Sequence, residues 1–91
     1  MNLGEAIHAL RKKRGLNQVE LAQKAGLTQA YISQLEAGKG EPKLQALREI
    51  CRVLETPLAF LFLESLEESD VQPNKKKLLE DLRPILSELM E

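Results

Sequence analysis

The stretch Leu16-Asn17-Gln18-Val19-Glu20-Leu21-Ala22-Gln23-Lys24-Ala25-Gly26-Leu27-Thr28-Gln29-Ala30-Tyr31-Ile32-Ser33-Gln34-Leu35-Glu36-Ala37-Gly38 decides the fold. Asn17, with Glu20 three residues on, is a starting pair for a helix: each side chain can satisfy a backbone N–H of the other. Val19, Leu21, Ala22 and Ala25 give that helix its apolar side, and Gly26 stops it. Thr28 caps the next helix, with Ile32 and Leu35 on one face and Gly38 as its end. Ala22 and Gly26 are small, as two short helices require where they meet closely at a steep angle. The spacing predicts a helix-turn-helix.

Working outward, no segment alternates apolar and polar residues long enough to predict a strand. Leu3, Ile7 and Leu10 predict a first helix over 3–14, opened by Asn2 with Glu5 and closed at Gly15. Leu44, Leu47, Ile50, Cys51 and Leu54 give a stripe that predicts a fourth helix over 43–54. Thr56-Pro57 predicts a cap and first turn for a fifth helix over about 57–63, with Phe60 in the core and Phe62 as its cover. The acidic stretch 64–73 is expected as a linker. Asn74 then caps a last amphipathic segment, in which Leu78, Leu82, Ile85, Leu86 and Leu89 share a face. Pro84 falls inside that pattern and predicts two pieces, 75–83 and 84–90, because it removes a backbone donor. The expected fold is all-α: a five-helix unit over 1–63 and a short helical C-terminal extension over 74–91.

Composition narrows the function. One Cys and one His provide neither an internal disulfide nor the usual nitrogen and sulfur ligands of a metal site. There is no nucleophile–base pair and no phosphate-cradling glycine loop, so no enzyme and no cofactor are expected. The longest apolar run, Leu58–Leu63, is far short of a membrane span, and Met1–Glu5 lacks the start of a signal peptide. A cytoplasmic protein is therefore expected. Residues 1–54 carry nine Lys and Arg against five Glu, while 55–91 carry four against nine Asp and Glu. A basic front and an acidic back suggest that only the front meets a polyanion. Cys51 is expected as a small buried hydrophobe and His8 as a surface residue.

An α-helix braced by another fits the major groove of duplex DNA if its outer face carries hydrogen-bonding side chains. The third predicted helix meets that condition with Gln29, Ala30, Ser33 and Gln34. The stretch Leu16–Lys39 closely resembles the helix-turn-helix of phage repressor and Cro proteins, the XRE-type family. Gln18, Leu21-Ala22, Gly26, Ile32-Ser33-Gln34-Leu35-Glu36 and Gly38 all match, and the similarity runs from about Leu3 to Leu63.

The resemblance implies a lambda-repressor-like domain that binds double-stranded DNA as a sequence-specific transcriptional regulator, most often a repressor. It implies base reading by Gln29, Ala30, Ser33 and Gln34. Backbone contacts fall to Asn17, Gln18, Thr28, Tyr31, Lys39 and Lys43, with Gln18 also supporting Gln29. Arg11 and Glu36 correspond to an ion pair joining the first and third helices. Many members cap the fourth helix with Ser or Thr after the loop proline; here that position is Lys43, so the cap is weak.

Two half-sites one helical turn apart favour a homodimer on palindromic operator DNA. Leu78, Leu82, Ile85, Leu86 and Leu89 are expected to form the dimerisation seam; the competing expectation folds that stripe back on its own domain. The rival function is an antitoxin or adaptor that holds a protein partner through the C-terminal extension.

Overall fold

The computed structural model describes residues 1–67 and 75–89, apart from the side chains at 75–79, 86 and 89. Within them lie six helices: α1 (Leu3–Lys13), α2 (Gln18–Ala25), α3 (Gln29–Glu36), α4 (Leu44–Leu54), α5 (Leu58–Ser65) and α6 (Lys75–Leu89). The all-α expectation holds for the described residues. One core unites them, built on Ile7, Leu21, Ile32, Leu47, Ile50, Leu54 and Leu61, each 0% exposed. These residues come from α1 to α5, so each helix buries one apolar stripe against the others.

The predicted caps form. Asn2 Oδ1 accepts from the Glu5 amide at 3.0 Å. Asn17 and Glu20 make the full reciprocal pair, at 2.8 and 3.0 Å. Thr28 Oγ1 accepts from the Tyr31 amide at 3.1 Å. Cys51 is buried beside this core, and burial pushes its thiol up to about 11, since a thiolate there would lose its water.

Several expectations need correction. Thr56 does not cap α5: its hydroxyl turns back and donates to the Leu54 carbonyl at 3.1 Å, serving the end of α4. Helix α5 runs on to Ser65, two residues into the stretch expected as linker. Ser65 is 2% exposed and its carbonyl accepts from the Asn2 amide at 2.7 Å, so this end of α5 is fastened to the start of α1. The two phenylalanines exchange places. Phe62 packs on the core and Phe60 is 42% exposed, because Leu58, Leu61 and Phe62 define the inward face at helical spacing.

Helix α6 is continuous through Pro84. Proline removes one N–H, and the exposure of Glu80 and Pro84 puts this stretch where water can satisfy the freed carbonyl. Ile85, expected in a dimerisation seam, is 3% exposed in the core of its own chain. The apolar side chain finds a nearer surface to cover, so for Ile85 the fold-back expectation replaces the seam. Leu82 is half-buried, and the side chains of Leu78, Leu86 and Leu89 lie outside the described residues.

Candidate nucleic-acid interface

Helix α2 ends at Gly26 in the left-handed conformation, φ 70°, which a Cβ would disfavour. The chain reverses there, with the Leu27 amide donating to the Ala22 carbonyl at 2.9 Å. Thr28 starts α3 at once. Ile32 and Leu35 fasten α3 inward, and Gln29, Ala30, Ser33 and Gln34 are all exposed. Among the described residues, none of those three polar side chains has a hydrogen-bond partner within the chain. Two amides and a hydroxyl therefore stand side by side with donors and acceptors unused by the fold.

The far end of α3 is fixed by a buried carboxylate. Arg11 Nε and Nη2 donate to Glu36 Oε2 and Oε1 at 2.7 and 2.9 Å, and both side chains are 5% exposed. Arg11 Nη1 donates to the Leu16 carbonyl at 2.8 Å, beside the start of α2. Gln18 Nε2 donates to Glu36 Oε1 at 3.3 Å, and His8 Nδ1 lies 2.8 Å from the same oxygen. One glutamate thus joins α1, α2 and α3. Burial works against its charge, but the hydrogen bonds from Arg11, His8 and Gln18 outweigh burial and hold the carboxyl below its usual range. The same bond raises the Arg11 guanidinium further above its ordinary value, against the pull of desolvation.

The expected backbone-contact residues divide. Lys39 and Lys43 are exposed on the loop after α3. Asn17 and Thr28 are exposed with their side-chain oxygens engaged as caps, which places them at the amide ends of α2 and α3. Tyr31 is half-buried, and its hydroxyl accepts from the Lys43 amide at 3.3 Å, tying α3 to the start of α4. Gln18 departs from expectation: its one side-chain hydrogen bond among the described residues goes to Glu36, not to Gln29.

Four structural residues escaped the sequence reading. Gly4 sits where α1 crosses α3; a Cβ there would overlap the Leu35 carbonyl oxygen. A glycine inside a helical pattern was the available signal, since it costs about 1 kcal/mol against alanine and so marks a close approach. Arg14 Nε donates to the Leu54 carbonyl at 2.8 Å, and Arg52 Nη2 to the Lys24 carbonyl at 2.8 Å, closing the ends of α4 and α2. Glu88 Oε2 accepts from the Leu44 amide at 2.8 Å and fills the cap that Lys43 leaves open. No local pattern announces these three partnerships, which span 28 to 44 residues.

A family model described as helix-turn-helix matches residues 7–61. The chain belongs to the XRE-type helix-turn-helix family. Relatives agree with that assignment. The immunity repressor protein of Bacillus phage phi105 is 32% identical over 79 residues, covering 85% of this chain and 55% of that protein. SinR of Bacillus subtilis, an HTH-type transcriptional regulator, is 33% identical over 66 residues, covering 71% of this chain and 60% of its own length. This chain thus spans little more than half the length of these two relatives. Among solved structures, the clp gene regulator ClgR of Corynebacterium glutamicum superposes with a TM-score of 0.72 at 27% identity, over 89% of this chain and 86% of that one. A SinR protein/SinI protein complex gives 0.66 at 28% identity, over 89% and 78%.

Proposed function

We propose that this chain is a sequence-specific DNA-binding transcriptional regulator, a repressor, that acts in the cytoplasm as a homodimer on palindromic operator DNA. The observation that carries this reading is the outer face of α3: Gln29, Ala30, Ser33 and Gln34 are exposed together on a helix held by a buried ion pair. Glutamine presents a donor and an acceptor that suit the N6/N7 edge of adenine, and Ala30 offers a methyl for a thymine methyl. Lys39 and Lys43, with the amide ends at Asn17 and Thr28, take the phosphates and set register. The repressor assignment draws on the phage immunity repressor, and the regulator assignment also on SinR, both of which this chain resembles.

With Ile85 turned inward, the exposed large apolar side chains among the described residues are Val19 on α2, at 42%, and a group at α5 and its end, where Phe60 is 42%, Leu63 65% and Leu66 37% exposed. We assign pairing of two copies to that face. The same face supports the second reading, an adaptor or antitoxin that holds another protein, and the solved SinR–SinI complex is a protein partnership within the family.

Selection of bound sites from random duplex DNA tests the proposal. A palindrome with half-sites about 34 Å apart is expected. On the selected site Gln29→Ala weakens binding by about 1–3 kcal/mol and relaxes specificity, while Lys39→Ala weakens all sequences alike and flattens the salt slope. Enrichment of no sequence, or identical behaviour of the two variants on cognate and random DNA, refutes sequence reading by α3.

A further inference from the structure

We propose that Glu88 is a built-in competitor of operator phosphates: α6 lays its carboxylate on the amide end of α4, at the rim of the DNA-facing surface, and must yield that position when a duplex docks. This inference rests on the DNA-binding reading above. Three observations carry it.

The first is the contact. Lys43 supplies no side-chain cap to α4, and the Leu44 amide instead donates to Glu88 Oε2 at 2.8 Å. An anion is therefore already seated where the unpaired amides and the helix dipole favour one. The second is location. The neighbouring Lys43 amide donates to the Tyr31 hydroxyl at 3.3 Å, so this end of α4 abuts α3, and the exposed Lys39 and Lys43 belong to the same loop. A phosphate approaching those lysines meets the Glu88 carboxylate well within the Debye length, about 10 Å at 0.1 M salt, and is repelled.

The third is how lightly α6 is held. Among its described side chains only Ile85 is fully buried, Leu82 is half-buried, and Glu80, Asp81, Pro84 and Glu88 are exposed, with Asp81 reaching the Met1 amino group only at 3.9 Å. A groove of about 360 Å³ stays open between Asp81 and Pro84 of the helix and the loop at Gly38, Lys39, Gly40 and Pro42. With one fully buried anchor among its described side chains, against seven wholly buried ones in the five-helix core, α6 opens at lower cost than that core. Its displacement can follow from duplex binding, and anything that grips α6 away from the domain would raise DNA affinity.

The test uses the full chain and the duplex recovered by site selection. Glu88→Gln keeps an oxygen acceptor for the Leu44 amide and removes the charge; it is expected to bind about 3- to 10-fold tighter at low salt, with the gain shrinking as salt rises. Glu88→Ala should gain at least as much. Glu80→Gln removes an equal charge from an exposed position of the same helix and should change affinity less than about twofold, which separates a local contact from net charge. Amide hydrogen exchange should show α6 losing protection when the parent chain binds DNA. Folded Glu88 variants that bind no tighter than the parent overturn the inference while leaving DNA binding intact, and so does an equal gain from Glu80→Gln. If parent and variants all ignore every duplex, the DNA-binding reading itself fails and takes this one with it.

Discussion

Two junctions in this molecule use the same chemical group and differ in permanence. Where α1 crosses α3, Glu36 is 5% exposed, takes two hydrogen bonds from Arg11 and one from Gln18, and has His8 beside it. Gly4 lets the two backbones touch there. Where α4 meets α6, Glu88 is exposed and accepts from a single backbone amide. The difference teaches that a carboxylate becomes fixed when water is excluded and several donors converge on it. With water at hand and one donor, it remains exchangeable. The first junction sets the attitude of α3; the second suits a contact that another anion can replace.

The harshest way to break the first junction is Arg11→Met. It strands the Glu36 carboxylate in a buried position and should cost about 3 kcal/mol of folding stability, measured by urea denaturation. Gly4→Ala should cost about 2–3 kcal/mol, because the new Cβ meets a carbonyl oxygen rather than a side chain that can turn away. A near-neutral Gly4→Ala would mean that the helices are free to separate.

Acid probes the same place without mutation. Glu36 lies below the ordinary value of 4.5 in the folded chain, so under acid the folded form binds fewer protons than the unfolded one. Its contribution is present in full above that ordinary value and drains as pH falls through the lower folded one. Urea midpoints should therefore drop below about pH 4.5, and Glu36→Gln should flatten that acid limb. The smallest effect belongs to the second junction: Glu88→Ala removes a helix cap and should cost about 1 kcal/mol. If it costs as much as Arg11→Met, the contrast between the two junctions disappears.

Much of the fold was legible because its signals are local. Asn17 with Glu20, Gly26, and Thr28 are near-neighbour solutions to the unpaired groups at helix ends, and they appear at the predicted places. The exposed set on α3 follows from helical spacing once Ile32 and Leu35 are known to point inward. Phe60 and Phe62 are not separable by sequence, because two apolar residues in a short apolar helix do not say which faces the core; the packing of Leu58 and Leu61 decides it. Thr56 offered a hydroxyl to two helix ends, and only the close approach of the Leu54 carbonyl chose between them.

Sequence alone determined the helix count of the N-terminal unit, the turn between α2 and α3, and the side chains displayed on α3. Each depends on groups within about one turn of one another, where spacing is geometry. Tertiary structure decided which side chains serve the fold. Arg14 and Arg52 went to helix ends, Gln18 to Glu36, Ile85 to the core and Glu88 to α4. The hydrogen-bond partners lie between 18 and 44 residues away, and only the packing of the apolar faces brings them within reach.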